Sequence, residues 1–142
     1  TVSWPSCGEL DIMEFAGNNP TVSTSAAHYK DVNGNHDYKM GALNSNVVLS
    51  QAYHNYGMLW TPTEVTMIID DRQVFNVKKS DTGLTNWPFG PNAQGVAPKM
   101  YVIFNLAMGG NYGGGIESGL TKAQLGIDYV RYYNVDGYGA LN

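Results

Sequence analysis

Apolar residues in this chain recur at every second position, hardly ever at every third or fourth, and that period restricts the fold to strands. Val65, Met67 and Ile69 alternate along one stretch. Asp70-Asp71 then reads as a tight turn, and Gln73 to Val77 returns as a hairpin partner. Glu9 to Phe15, Val22 to Tyr29 and His54 to Thr61 read as further strands, the last ending at Pro62. Met100 to Leu106 is apolar almost throughout, which predicts a strand covered on both faces. Ile127 to Val135 alternates and reads as the last strand, giving about seven in all. Leu120 to Leu125 predicts a helical turn at most, and Gly109 to Gly119 a glycine-rich loop. The fold class expected is all-β, an antiparallel β-sandwich, in one domain over residues 1–142.

Within Glu9 to Phe15, three carboxylates fall in six positions: Glu9, Asp11 and Glu14. Residues i and i+2 share a face of a strand, and i+5 points the other way. One extra residue restores parity, so a β-bulge near Ile12 or Met13 would bring all three acids to one face. Leu10 and one of Ile12 or Met13 would then enter the core. Like charges held together separate in pKa, which can supply one ionised nucleophile and one protonated acid. A retaining glycosidase needs two carboxyl groups about 5–5.5 Å apart. Four strand steps span about 13 Å between Cα atoms, so both glutamates must lean inward across the bulge. A solvated polar edge is the plainer alternative.

Composition narrows the partners. The 142 residues carry a formal charge of −4, which argues against nucleic acid. No run of 18 apolar residues is present, so no membrane span is expected. Cys7 stands alone, so no internal disulfide can form, and it reads as a small buried hydrophobe. The chain shows neither a signal-peptide pattern nor a starting Met and reads as a processed product or a fragment. Abundant Asn, Gly, Thr and Tyr suit a secreted, extracellular β-protein.

The motif Glu9-Leu10-Asp11-Ile12-Met13-Glu14, preceded by Trp4-Pro5 and Gly8, resembles glycoside hydrolase family 16 in its bulged, laminarinase-like form. "HNYGMLWTPTEVTMIIDDRQVF", "YVIFNLAMGGNYGG" and "LGIDYVRYYN" resemble the family's central hairpin, its strand with glycine loop, and its closing strand. The resemblance implies a concanavalin A-like jelly roll that cleaves β-1,3-glucan with retention. Glu9 would be the nucleophile, Asp11 the assisting carboxylate and Glu14 the general acid/base. Mixed-linkage β-glucan, agarose and carrageenan are the alternative substrates, and a non-catalytic carbohydrate-binding sandwich is the alternative function.

Trp4 would be a sugar-stacking platform, against core packing. His28 resembles a histidine lining the family's cleft, against a structural role. Asn105 would face the cleft if its strand alternates, against a hydrogen-bonded core Asn. Tyr112 would touch the glycan, against a plain loop tyrosine. Asp128 resembles a ligand of the family's structural calcium; no other cofactor is implied. A family domain is usually much longer and supplies strands ahead of the catalytic one. This chain therefore resembles the C-terminal portion of such a domain, and self-association or pairing with the missing N-terminal segment is expected.

Overall fold

The computed structural model describes residues 2–83 and 87–135. The chain divides into two compact units, residues 1–101 and 102–142.

The first unit holds six strands: β1 (Glu9–Phe15), β2 (Val22–Lys30), β3 (His36–Asn44), β4 (Tyr56–Trp60), β5 (Glu64–Ile69) and β6 (Arg72–Lys78). They form two antiparallel sheets in chain order, β1-β2-β3 and β4-β5-β6. The two sheets face each other across one apolar core. Val65 and Met67 of β5, Phe75 and Val77 of β6, and Ala27 and Tyr29 of β2 supply it. At Gly41 of β3 the sheets approach closely, since a Cβ there would sit 2.6 Å from the Val74 carbonyl oxygen and 3.1 Å from the Phe75 Cβ.

β5 and β6 are the period-2 hairpin that the alternation predicts. Val65, Met67 and Ile69 are buried, while Thr66 and Ile68 are only partly covered. Asp70 and Asp71 close the hairpin with φ of 45° and 65°. Two successive left-handed residues make the type I′ turn whose twist matches that of the flanking strands. Asp70 also ties back to the start of β4: its carboxylate meets His54 Nδ1 at 2.6 Å and accepts from the Asn55 backbone N–H at 2.9 Å. Burial works upward on the Asp70 pKa, but the hydrogen bonds from His54 and Asn55 and the His54 charge together hold it below the usual value.

The long segment after β6 caps one end of the core. Trp87 and Phe89 are both buried, edge to face at 4.8 Å, and belong to the core. Trp60 Nε1–H donates to the Phe89 carbonyl at 2.6 Å. Gly8, with φ of 76°, lies against the Phe89 ring, where an added Cβ would come within 2.6 Å. This contact fixes the turn that leads from Trp4 into β1. Cys7 lies on that turn and is exposed, contrary to the buried position expected from its small apolar side chain.

β3 is the strand that the sequence pattern does not announce. Its residues are mostly exposed, and His36, Asp37 and Lys39 dilute its apolar signal. It pairs with β2 along its whole length, from Val22↔Asn44 to Lys30↔His36.

The second unit departs from expectation. Met100 to Leu106 forms no strand; Met100 edges the first unit's core, and Tyr101 to Leu106 are exposed. Ile127 to Val135 likewise lies outside any strand, except for a bridge at Val135. Apolarity supplies a reason for burial, but a strand is made only by a hydrogen-bonded neighbour. Neither segment is a strand of the two three-stranded sheets. A helical turn forms at α1 (Gly110–Gly113), inside the expected glycine loop, whereas Leu120–Leu125 has none.

Candidate functional site

The ladder between β1 and β2 answers the parity question. Glu9 pairs with His28, Asp11 with Ala26 and Glu14 with Thr24, and the register shifts between Asp11 and Glu14. Two residues of β1, Ile12 and Met13, thus stand opposite one of β2, Ser25, which is a bulge. Because His28, Ala26 and Thr24 share a face of β2, the three acids share it too. The opposite face of the sheet turns to the core.

A bulge removes backbone groups from the regular ladder, and buried ones must find other partners. Two fully buried serines of β2 provide them. Ser25 Oγ–H donates to the Ile12 carbonyl at 2.9 Å and Ser23 Oγ–H to the Glu14 carbonyl at 3.3 Å. The alternation Ser23-Thr24-Ser25 therefore belongs to the acidic strand as much as to its own, and Thr24 Oγ1–H donates to Glu14 Oε2 at 3.3 Å.

Around the acids the side chains form a connected set. Trp4 Nε1–H donates to Glu9 Oε2 at 2.6 Å. His28 Nε2 meets Asp11 Oδ2 at 3.2 Å. His28 Nδ1 in turn lies 2.8 Å from Nε2 of His36. The His36 ring lies 4.6 Å from that of Trp4, and Tyr38 stacks on His28 at 5.3 Å. Asp11 sits in the middle. Burial, then the charges of Glu9 and Glu14, then a hydrogen bond with Glu9 push its pKa from 3.8 up to about 7. At neutral pH it holds a proton much of the time and can offer it to Glu9.

Of the residues singled out in the sequence, Trp4, Glu9, Asp11, Glu14 and His28 come together on this face. Trp4 is exposed beside Glu9, not packed in the core. His28 lines the face and bonds an acid. Asn105, Tyr112 and Asp128 belong to the second unit and are exposed there. The strand whose alternation would have aimed Asn105 is not formed. Calcium takes six to eight oxygens. Among the described residues no group of three or more His, Cys, Asp or Glu could hold a metal ion, and Asp128 is exposed in the second unit. His36 and Tyr38 were missed because they lie on the unannounced strand. The Asn33-Gly34 turn before them, with Gly34 at φ 91°, was the available signal.

A three-acid face, with the middle acid's pKa raised to about 7 between two others and an aromatic beside it, suits acid–base work on a sugar. The chain matches Glycosyl hydrolases family 16 over residues 2–130. It is 33% identical over 137 residues to the beta-glucanase of Rhodothermus marinus, covering 92% of this chain and 46% of that protein. It is 27% identical over 135 residues to a glucan endo-1,3-beta-glucosidase of Cryptopygus antarcticus, covering 90% and 50%. The solved laminarinase from Rhodothermus marinus superimposes with a TM-score of 0.52 at 27% identity, covering 63% of this chain and 38% of that one. The chain spans about half the length of the curated relatives it matches. On the match over residues 2–130, it belongs to glycosyl hydrolases family 16.

Proposed function

We propose that the acidic face is the catalytic strand of a secreted, endo-acting glycoside hydrolase that cleaves β-1,3-glucan with retention. The observation that carries the reading is the register shift between Asp11 and Glu14, which gathers Glu9, Asp11 and Glu14 beside Trp4 and His28.

In the first step the Glu9 carboxylate attacks the anomeric carbon. Glu14, in its acid form, gives its proton to the glycosidic oxygen, and the C–O bond to the departing sugar breaks. A glycosyl ester on Glu9 results. Glu14, now a carboxylate, takes a proton from water as that water attacks the same carbon. Glu9 leaves as carboxylate, and configuration is kept through two inversions. Asp11 directs its proton to Glu9 in the resting site and tunes the charge between the two glutamates. Trp4 donates to the nucleophile through its indole and offers its exposed ring face to a pyranose.

Laminarin is the substrate expected, with mixed-linkage β-glucan next; the names of the relatives support a β-glucan. The test is reducing-sugar release by the 142-residue chain from laminarin, mixed-linkage glucan and agarose. Release from laminarin above the other two supports the assignment. Release from agarose alone, or binding to laminarin with no release from any of the three, overturns it.

A further inference from the structure

His36 lies outside the three-acid motif, yet it links two of the contacts that hold the acids. Nε2 of His36 is 2.8 Å from Nδ1 of His28, and Nε2 of His28 is 3.2 Å from Asp11 Oδ2. On the other side the His36 ring leans on Trp4 at 4.6 Å, and Trp4 donates to Glu9. We propose that His36 is a positioning residue of this site, which holds the His28 ring in the tautomer that donates from Nε2 to Asp11.

The protons decide the matter. A neutral imidazole has one N–H and one acceptor nitrogen. If His28 carries its proton on Nε2, it donates to Asp11, and its Nδ1 must accept. His36, protonated on Nε2, is the donor that faces it. Asp11 then keeps its own proton for Glu9, which receives two hydrogen bonds, one from Asp11 and one from Trp4. With the His28 proton on Nδ1 instead, its Nε2 lone pair faces Asp11. Asp11 would turn its proton to His28, and Glu9 would lose a donor. The ionisable groups facing this relay are Glu9, Asp11 and Glu14 on β1, His28 and Lys30 on β2, and His36 and Tyr38 on β3. Lys30 pairs with His36 across the ladder. The inference rests on the proposed function only for its kinetic part.

The deciding experiment is nitrogen NMR of the imidazole rings in the full chain, comparing wild type with H36F and H36Q. Phe keeps a ring against Trp4 but has no N–H; Gln brings back a donor. His36 is exposed, so neither change disturbs the core. His28 should appear as the Nε2–H tautomer in wild type, become a mixture in H36F, and largely return in H36Q. His54, bonded to Asp70, is an internal control that should not move. With laminarin, H36F should lower kcat about tenfold, below the 10²–10⁴ that a group transferring the proton contributes, with KM within about twofold. The acid limb of the kcat/KM profile should shift in H36F and return toward wild type in H36Q. Identical His28 signals in wild type and H36F, or an H36Q that behaves like H36F, would overturn the inference. No turnover by wild type would instead count against the glucanase reading, and the His28 signals would still decide this one.

Discussion

The two sheets of the first unit are built to different rules. In β4-β5-β6 the side chains follow the pleat: apolar positions of β5 and β6 enter the core, and the hairpin turn uses the two left-handed residues its twist requires. In β1-β2-β3 the pleat is interrupted on purpose. A bulge shifts the register, two buried serines take up the displaced carbonyls, and an acid is kept half-buried between two others. The first sheet spends local regularity to assemble a charged face, whereas the second supplies the packing against which such a face can be held. Sites of chemistry are where local rules are expected to be broken.

Substitutions should separate the two sheets. The largest effect belongs to E9Q and E14Q. Each should lower laminarin turnover by about three orders of magnitude or more, the scale on which acid, base and nucleophile act. Neither should lower the melting temperature, because removing an acid from this crowded face relieves the repulsion that helps raise the Asp11 pKa. A variant with wild-type turnover would break the division. Next comes M67A in the second sheet. It empties a fully buried position and should cost about 2–5 kcal/mol in denaturant unfolding. Any surviving folded fraction should keep the wild-type turnover per molecule.

S25A tests the joint between fold and site. It strands the Ile12 carbonyl and should cost about 1–3 kcal/mol, with a loss of turnover that M67A does not share. If the two variants lost stability alike and S25A kept full turnover, the bulge would not need its serine.

D11N sharpens the comparison through pH. The Asp11 pKa is raised from 3.8 to about 7, so the folded state binds this proton more tightly than the unfolded chain does. That contribution is fully present below about pH 4 and is lost as pH rises through 7. D11N should remove this downward slope and leave the protein more stable than wild type at pH 8, by no more than about 2 kcal/mol once solvent screening is allowed for. Its turnover should fall less than that of E9Q. A wild-type stability that climbed between pH 4 and 7 with no difference in D11N would contradict the placement of Asp11. The smallest effect is D71G at the left-handed turn position, which should stabilise the β5–β6 hairpin by about 0.5 kcal/mol.

The same contrast explains what could be read from the sequence. The second sheet was legible because alternation and turn chemistry agree there: Val65, Met67 and Ile69, then Asp70-Asp71. β1 was legible through its apparent error, since acids at odd spacing make sense only with an inserted residue. β3 was not, because His36, Asp37 and Lys39 give it no apolar face and its cover is a neighbouring strand far from it in pattern. His36 and Tyr38 were lost with it. Met100 to Leu106 failed in the opposite sense: its apolarity is unmistakable, but apolarity carries no information about which strand, if any, pairs beside it. Ser23 and Ser25 looked like filler in a strand until the displaced carbonyls of β1 gave them partners.

The hydrogen bond from Trp4 to Glu9 has an optical side. Among the three tryptophans, Trp87 is buried and Trp60 is partly covered with its indole N–H on a carbonyl, while Trp4 lies open to solvent with its indole N–H on a carboxylate. The long-wavelength edge of the emission therefore comes from Trp4. Neutralising the carboxylate beside an indole changes how the excited ring is quenched, so the site carries its own lamp. Emission watched at that edge therefore reports on the Trp4–Glu9 contact with no sugar in the cuvette, and E9Q should change it.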